Sequence, residues 1–316
     1  MSFLDPIKLS PAFKDYIWGG ERLKSEFNKK SDLERLAESW ELSAHKDGQS
    51  EVEFMGEKCS FGDYVSKIGR DALGENSKKY DYFPLLIKLI DAKGDLSVQV
   101  HPSDEYALEH EGEYGKTEMW YVLDCDPGAA LYYGFKESVS REEYEKAIKE
   151  NTLCDILRRV EVKKGDVFFI PAGTVHAIGS GMLICEVQQN SNTTYRVYDY
   201  GRRDKDGNTR PLHIEKALEV SCLDKSPELP KIGDGDGATL ADCGYFSVKR
   251  RRIIERGEVE VNKDSFVSLI VTSGSGKLNF DGGVIDLEKG DSIFIPSQNA
   301  SFTVEGNCEL IETRVN

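Results

Sequence analysis

Residues 162–171 read VKKGDVFFIP, and residues 287–296 read LEKGDSIFIP. In both stretches a Lys-Gly-Asp turn leads into an apolar run that ends at a proline, which is the pattern of a tight turn followed by a buried strand. Two chance hairpins are the simpler alternative, but the shared letters K-G-D and F-I-P favour duplication of one β unit. The first copy continues to His176, whereas the second carries Ser301 at the equivalent position. The sequence therefore predicts two related β units, of which only the first keeps a potential ligand here.

Strand patterns dominate the rest of the chain as well. Alternating apolar and polar residues, separated by Gly or Asp-Gly turns, predict strands at Leu96–His101, Glu118–Leu123, Leu183–Gln188, Thr194–Tyr200, Phe266–Val271 and Val284–Leu287. Helical patterns are fewer, and they occur at 213–220, at the weaker candidates Asp32–Glu41 and Phe61–Leu73, and after Ser140, which forms a Ser-x-x-Glu capping box with Glu143. We therefore expect a mainly β fold with helical insertions.

The composition limits the classes of function. Lys and Arg number 41 and Asp and Glu 56, and the formal net charge of −15 disfavours nonspecific binding to nucleic acid or to an anionic membrane. An anionic substrate would need a local basic pocket that acts against this overall field. No apolar run has the length of a signal peptide or a membrane span. The seven cysteines contain no C-x-x-C pair, which is not typical of a disulfide framework or a cysteine zinc cage, so we expect reduced thiols in a cytoplasmic protein.

Four polar residues on predicted strands form a candidate metal site. In LSVQVH (96–101) the alternation directs Gln99 and His101 to the face opposite the apolar residues. Glu118 lies on the next predicted strand, and His176 follows the proline of the first repeat copy. Two imidazoles and a carboxylate are a common ligand set for a catalytic metal; zinc suits it, and iron or manganese fits as well. A single histidine in a β protein is more often a hydrogen-bonded structural residue. The prediction therefore depends on all four side chains meeting.

Further polar residues are expected beside these four. Lys116 shares a strand face with Glu118, Glu186 shares one with Gln188, and Arg196 shares one with Thr194, Tyr198 and Tyr200. The remaining histidines, His45, His110 and His213, have no such context, and we expect them in surface or structural positions.

These stretches resemble the type I mannose-6-phosphate isomerases in their shorter bacterial form, a family of cupin proteins. The resemblance is carried by FPLLIKLIDAKGDLSVQVHPSDEYAL (83–108), GKTEMWYVLDCDPGA (115–129), IPAGTVHAI (170–178) and EVQQNSNTTYRVYDYGR (186–202), with YIWGG (16–20) and AESWELSAH (37–45) in support. It extends from about residue 5 to residue 220 and is weaker over the second β unit. It implies two jelly-roll cupin barrels, of which the first is enlarged by an N-terminal segment and helical insertions.

The resemblance also implies roles for individual residues. The zinc ligands of the family correspond to Gln99, His101, Glu118 and His176, which implies one Zn²⁺ per chain. Its phosphate-binding residues correspond to Ser97, Lys88 and Arg202. Arg202 stands where the longer members have lysine; the charge is retained, but a planar guanidinium replaces a point charge, so the resemblance leaves its exact contact open. The catalytic candidates are Arg196, Glu186 and Lys116.

The function implied is that of a zinc-dependent aldose–ketose isomerase of carbohydrate metabolism, which interconverts mannose 6-phosphate and fructose 6-phosphate through an enediol. The partner is then a small-molecule sugar phosphate, with neither nucleic acid nor a membrane involved. Glu186, Lys116 and a metal-bound water all remain candidates for the general base. The sequence also leaves open the oligomeric state, the metal loaded in the cell and the activity on other aldoses.

Three other functional hypotheses compete with that of a zinc-dependent isomerase. An iron dioxygenase would use similar ligands but has no need for Ser97, Arg196 and Arg202 beside them. A sugar-phosphate-binding regulator without catalysis would not need to retain Lys116 and Glu186. A storage or structural bicupin has no need for a polar ligand row in one barrel only.

The 316 residues suggest about two domains. We expect a catalytic zinc cupin with its N-terminal segment over residues 1–223 and a linker rich in Pro, Gly and Asp over residues 224–243. A metal-free C-terminal cupin over residues 244–316 follows, and we expect it to support and shield the first.

Overall fold

The computed structural model describes residues 3–203, 207–229, 232–233 and 235–316. The strands are β1 Ile7–Ser10, β2 Ala12–Lys14, β3 Glu38–Leu42, β4 Ala44–His45, β5 Gly48–Gln49, β6 Glu51–Phe54, β7 Glu57–Ser60, β8 Leu85–Ala92, β9 Val98–Val100, β10 Glu118–Cys125, β11 Ala130–Phe135, β12 Leu157–Glu161, β13 Val167–Ile170, β14 His176–Ile178, β15 Met182–Gln189, β16 Tyr195–Tyr198, β17 Ala238–Asp242, β18 Phe246–Val261, β19 Val267–Phe280, β20 Gly283–Glu288, β21 Ser292–Ile295 and β22 Ala300–Val315. The helices are α1 Arg22–Glu26, α2 Phe61–Ile68, α3 Asp104–His110, α4 Arg141–Lys149, α5 Leu153–Ile156 and α6 Ile214–Val220, with 3₁₀ turns at Arg70–Leu73 and Glu75–Lys79. The fold is therefore mainly β, as predicted.

Two sheets form the N-terminal part and face each other across a shared core. One has six strands in the order β13-β10-β15-β8-β3-β2, and the other has five in the order β12-β11-β14-β9-β16. Trp120, Phe168 and Ile184 of the first sheet belong to the same buried apolar cluster as Leu131 and Ile178 of the second. Burial of these large side chains stabilises the pair of sheets, because removing apolar surface from water is the dominant favourable term in folding.

The sequence repeat corresponds to equivalent strands in the two halves. The strand of the first repeat, β13, pairs with β10, and the strand of the second, β21, pairs with β19. The neighbours match as well: β10 also pairs with β15 and β15 with β8, while β19 also pairs with β22 and β22 with β18. In the second half β18, β19 and β22 are long continuous strands. In the first half two shorter strands stand in place of each of them: β8 and β9 for β18, β10 and β11 for β19, and β14 and β15 for β22.

The N-terminal segment joins the C-terminal sheet. Strand β1 pairs with β21 on one side and with β6 on the other, and β6 pairs with β7. A buried lysine adds a hydrogen bond to this contact, because the Lys29 ammonium pairs with the Glu41 carboxylate of the same segment at 2.6 Å and donates to the Gly290 carbonyl of the C-terminal half at 2.6 Å. The aromatic rings of Phe61 and Phe294 meet at 5.1 Å between centroids within a mixed core. The two halves of the chain are therefore joined by a sheet, a hydrogen bond from a buried lysine and a core.

Most of the predicted elements are present. All six predicted strands are found, helix α6 covers the pattern at 213–220, and α2 with its following 3₁₀ turn covers Phe61–Leu73. Helix α4 begins after Ser140 with the complete capping box predicted from Glu143. The helix predicted over Asp32–Glu41 is wrong, because its second half is strand β3, which is hydrogen-bonded between β2 and β8 and buried at every residue.

The segment expected to be a linker contains strand β17, which pairs with β18 of the C-terminal sheet. Residues 230, 231 and 234 of that segment lie outside the described part of the chain. Among the helices of the described residues, none has the length and apolar character needed to cross a membrane.

Candidate active site

Strands β9, β10 and β14 bring the four predicted metal ligands together. Gln99 is the middle residue of β9, His101 follows that strand directly, Glu118 begins β10 and His176 begins β14. Gln99 and His176 are direct partners in the β9–β14 register. The candidate ligand atoms of His101, Glu118 and His176 all lie within 4.8 Å of one another, and these three side chains are at most 1% exposed.

A glycine allows the loop before His176 to pack against His101. Gly173 has φ +88°, its N–H donates to the His101 carbonyl at 2.8 Å, and its own carbonyl accepts from the Cys222 N–H. A Cβ at this position would lie 3.0 Å from the Val220 carbonyl oxygen. Both the positive φ and the close approach favour glycine here.

The hydrogen bonds of the two histidines orient their free nitrogens toward Glu118. The Nδ1 atom of His101 lies 2.9 Å from the Thr193 carbonyl, and that of His176 lies 2.8 Å from the Thr174 carbonyl, so each Nδ1 is the protonated donor. The Nε2 atoms then carry lone pairs and lie 3.6 Å and 3.3 Å from the Glu118 carboxylate oxygens. In metal sites, hydrogen bonds of this kind from Nδ1 to a backbone carbonyl fix the tautomer and the ring orientation of the histidine ligands.

Two buried atoms at the centre of this group lack hydrogen-bond partners among the described residues. They are Nε2 of His101 and Oε1 of Glu118, whereas Oε2 of Glu118 lies 2.9 Å from the Lys116 ammonium. Leaving such atoms unsatisfied is costly, and a divalent cation between them removes the cost. The amide nitrogen of Gln99 lies 3.4 Å from His176 Nε2. The Gln99 amide is therefore close enough to offer a fourth, neutral ligand group. These residues therefore fit a metal ion such as zinc.

The electrostatics of the group agree with metal binding. Burial lowers the pKa of His176 to about 4 and, together with the charge of Lys116, lowers that of His101 well below its usual value. Both imidazoles are therefore neutral at neutral pH, as a metal ligand requires. Burial, with the nearby Glu186 charge, raises the pKa of Glu118 to about 7, although the Lys116 ammonium lies only 2.9 Å from its carboxylate. A bound cation would favour the ionised form.

A polar cavity of about 280 Å³ lies beside this group. Of the predicted site residues, six line it: Lys88, Ser97, Gln99, Lys116, Glu186 and Arg196. His101, Glu118 and His176 are buried next to them. Arg202 is not among the lining residues, because its guanidinium donates to the Asp199 carboxylate and to the Asp95 carbonyl. The structure therefore gathers nine of the ten predicted residues at one place.

Glu186 is held by two donors inside this cavity. Its Oε1 lies 3.1 Å from the Lys88 ammonium, and its Oε2 accepts from the Trp120 indole N–H at 2.9 Å. Burial raises the pKa of this carboxyl, but the charges of Lys88 and Lys116 outweigh burial and lower it to about 2. Lys88 is also 3.8 Å from Glu38, so its ammonium is shared between two carboxylates.

Arg196 lies on β16 opposite Gln99 of β9. Its Nε donates to the Ser97 hydroxyl at 3.2 Å, and its NH1 donates to the Pro211 carbonyl at 3.1 Å. Its backbone N–H donates to Nδ1 of His213 at 3.1 Å. The guanidinium is thus fixed beside Ser97, with the segment around Pro211 behind it.

The sequence missed several cavity residues. They are Tyr16, Trp18, Glu38, Asn192, Arg210 and His213. Tyr16, Trp18 and Glu38 stand in the two N-terminal stretches that carry the resemblance, so a signal existed but gave them no role. The sequence gave no reason to place His213 at the site, because the fold of the loop after β16 decides which residues turn inward.

The second β unit lacks this group. In the first unit, Glu118 pairs with the last residue of β13. In the second unit, the buried Val267 takes this position and pairs with the last residue of the equivalent strand β21. Ser301, at the position of His176, donates to the Glu258 carboxylate at 3.0 Å. Within the described residues, the His101–Glu118–His176 group is the one cluster of this kind that fits a metal.

Facing antiparallel sheets with a buried His–Glu–His group and a polar cavity define a β protein built around a candidate metal site. Residues 7–122 match the family model "Phosphomannose isomerase type I, catalytic domain", and residues 237–315 match "Mannose-6-phosphate isomerase, cupin domain". The chain is 40% identical to mannose-6-phosphate isomerase ManA of Bacillus subtilis, over 97% of this chain and 98% of that protein. It is 38% identical to the mannose-6-phosphate isomerase of Streptococcus mutans, over 99% of both.

Solved structures agree with these matches. The crystal structure of a Bacillus subtilis mannose 6-phosphate isomerase is 37% identical, with a TM-score of 0.90 over 98% of this chain and 99% of that one. A zinc-bound mannose 6-phosphate isomerase, at 16% identity and a TM-score of 0.81 over 98% of this chain and 99% of that one, shares the fold. The chain belongs to the mannose-6-phosphate isomerase family of enzymes, which confirms the resemblance found in the sequence.

Proposed function

We propose that this chain is a zinc-dependent aldose–ketose isomerase that interconverts mannose 6-phosphate and fructose 6-phosphate in the cavity described above. The observation that carries the proposal is the buried group of His101, Glu118 and His176, in which Nε2 of His101 and Oε1 of Glu118 are unsatisfied, beside a cavity lined by carboxylates and guanidiniums. The names of the relatives and the zinc-bound neighbour support the substrate and the metal.

Gln99, His101, Glu118 and His176 would hold one Zn²⁺ per chain. When bound, the ion supplies positive charge next to the sugar oxygens, where negative charge develops during the reaction. Glu118 is the ligand whose charge matters most, because it neutralises part of the cation while the two imidazoles are neutral.

The isomerisation moves one proton between neighbouring carbon atoms of the open-chain sugar. We assign Glu186 as the group that takes and returns this proton, because its carboxylate is ionised, lines the cavity and is oriented by Trp120 and Lys88. Lys116 lines the same cavity and, as an ammonium, can donate to a sugar oxygen. Arg196 would stabilise negative charge on the enediolate through its planar fork of donors.

The residues expected to bind phosphate divide into two groups. Ser97 lies in the cavity next to Arg196, which supports the expected role. Lys88 is occupied by Glu186 and Glu38, and Arg202 by Asp199, so we assign both to positioning those carboxylates.

We also infer two jelly-roll cupin barrels, with the metal in the first, over residues 1–223, and none in the second, over residues 244–316. The matched pairing patterns of the two halves support this division, and strand β17 within the segment 224–243 pairs with the second unit's sheet. All seven cysteines are free thiols, which supports a cytoplasmic location. The net charge of −15 gives no support for a nucleic-acid or membrane partner.

A coupled assay that follows fructose 6-phosphate formation from mannose 6-phosphate tests the proposal. We expect zinc-loaded wild-type protein to be active and Glu186→Gln to lose at least about 10²-fold in kcat, the usual contribution of general acid–base catalysis. Zinc content is measured in both proteins, so that a loss of metal is recognised. An inactive zinc-loaded wild type would overturn the proposed reaction, and near-normal turnover of Glu186→Gln would overturn the role of Glu186.

A further inference from the structure

Two arginines bind a single carboxylate close to a third arginine at one end of the cavity. Arg210 donates from Nε to Oδ2 of Asp199 at 2.8 Å and from NH2 to Oδ1 at 2.6 Å, which is a bidentate pair. Arg202 donates to the same carboxylate, and Asp199 itself is only 6% exposed. Arg196 lies within electrostatic range of Arg202, Arg210 and Asp199, and its own hydrogen bond goes to Ser97. Asp199 therefore fixes Arg202 and Arg210 near a third guanidinium.

Of these three arginines, Arg196 and Arg210 line the cavity and Arg202 does not. The Arg202 guanidinium is held by Asp199 and the Asp95 carbonyl and lies over the Tyr200 ring, 5.2 Å from its centroid. The position that the resemblance assigns to phosphate binding is thus turned away from the cavity, and a residue eight positions further along the chain faces it instead.

We infer that Arg210 binds the phosphate group of the substrate, together with Ser97 and Arg196, and that Asp199 acts as its positioning residue. This inference rests on the proposed function, since it concerns the phosphate of that sugar phosphate. It gives the cavity two ends, a metal end at Gln99 and an anion end at Ser97 and Arg210.

The charge at this end matches a phosphate ester. Three guanidiniums and one carboxylate leave a surplus of two positive charges, in a chain whose formal net charge is −15. A phosphate monoester carries about −1.5 to −2 at pH 7. Burial, together with the charge of Arg210, lowers the pKa of Arg196, and an anion between the two guanidiniums would relieve their repulsion. Arg210 has five N–H donors, of which Nε and one NH2 hydrogen serve Asp199 and the rest can meet phosphate.

The spacing of the two ends suits a hexose phosphate. Ser97 and Gln99 are two residues apart and therefore lie on the same side of the chain, separated by about 7 Å. Arg196 stands opposite Gln99 in the register, yet its Nε contacts Ser97, so its side chain extends along the cavity from the metal end toward the anion end. A six-carbon sugar covers such a distance, with its carbonyl end at the metal ligands and its phosphate at Arg210.

The test compares Arg210→Gln and Arg210→Lys with the matched control Arg203→Gln, which alters an exposed arginine of the preceding loop that donates to the Gly207 carbonyl. Steady-state kinetics with mannose 6-phosphate and calorimetric titration with inorganic phosphate are measured on zinc-loaded protein. For Arg210→Gln we expect KM and the phosphate Kd to rise roughly 10- to 100-fold, the effect of losing a charge-assisted hydrogen bond, with kcat changed by only a few-fold. Arg210→Lys should recover part of the loss, because it keeps the charge without the fork.

The two measurements separate this inference from the proposed function. A KM and a phosphate Kd within about two-fold of wild type for Arg210→Gln would overturn the inference, whatever the activity of the wild type. A wild type that binds phosphate through Arg210 but does not isomerise mannose 6-phosphate would support the anion site and overturn the proposed reaction. A rise in KM for Arg203→Gln as large as for Arg210→Gln would count against a specific site.

Discussion

Replacing Lys88 by methionine removes one charge from a buried cluster. The Lys88 side chain is 4% exposed, and its ammonium lies 3.1 Å from Glu186 and 3.8 Å from Glu38. Methionine keeps most of the aliphatic volume but leaves Glu186 with the Trp120 N–H as its direct partner. Breaking a buried ion pair by removing one partner costs about 3–5 kcal/mol, because an uncompensated charge stays in a low-dielectric interior. We therefore expect Lys88→Met to lower the free energy of unfolding by about that amount.

Urea denaturation of zinc-loaded protein measures this effect, with the double variant Lys88→Met/Glu186→Gln as control. Because the double variant removes both charges, it should be more stable than Lys88→Met alone. In kinetics with mannose 6-phosphate, Lys88→Met should lower kcat more than it raises KM, since Lys88 orients Glu186. A loss below about 1 kcal/mol would contradict a buried ion pair between Lys88 and Glu186. A raised KM at unchanged kcat would indicate that Lys88 binds the phosphate of the substrate instead of orienting Glu186.

Three further predictions follow from other parts of the fold. The double variant His101→Ala/His176→Ala should lose bound zinc as measured by atomic absorption, whereas Ser301→Ala in the second unit should keep it; full zinc occupancy in the double variant would contradict the ligand assignment. Lys29→Met should cost about 3–5 kcal/mol in urea denaturation, because the fully buried Glu41 loses its cation at the junction with the C-terminal sheet; an unchanged midpoint would argue against that junction. Ser140→Ala should cost about 1 kcal/mol of unfolding free energy, because the capping box of α4 is lost, and Ser140→Asp should retain most of it.

The meeting of the candidate ligands was predictable from the sequence because a strand directs every second side chain to the same face. This period of two places Gln99 and His101 on one face of the chain. The Lys-Gly-Asp turn and the proline after it indicate where His176 follows. The same rule identified the strands that carry Glu118 and Glu186. Residue alternation is a local property of the sequence, so it can be recognised without knowledge of the tertiary fold.

Features that depend on distant segments were not predictable in this way. The pairing of β1 with β21 joins residues almost 290 positions apart, and nothing in a local pattern indicates it. The helix predicted at Asp32–Glu41 failed because β3 is buried on both faces, which removes the alternation that marks a strand. The arginines show the same limit, since sequence similarity selected Arg202, while the course of the loop after β16 places Arg210 in the cavity.

Zinc titration into metal-depleted protein, with the rate of mannose 6-phosphate isomerisation followed at each step, tests whether the reaction depends on a metal at His101, Glu118 and His176. We expect activity to be absent without metal, to rise in proportion to added zinc and to stop rising at one zinc per chain. The His101→Ala/His176→Ala variant should show no rise over the same range. Full activity of the metal-depleted wild type would contradict a zinc-dependent reaction. Recovery of activity by zinc in the double variant would contradict the location of the metal at His101 and His176.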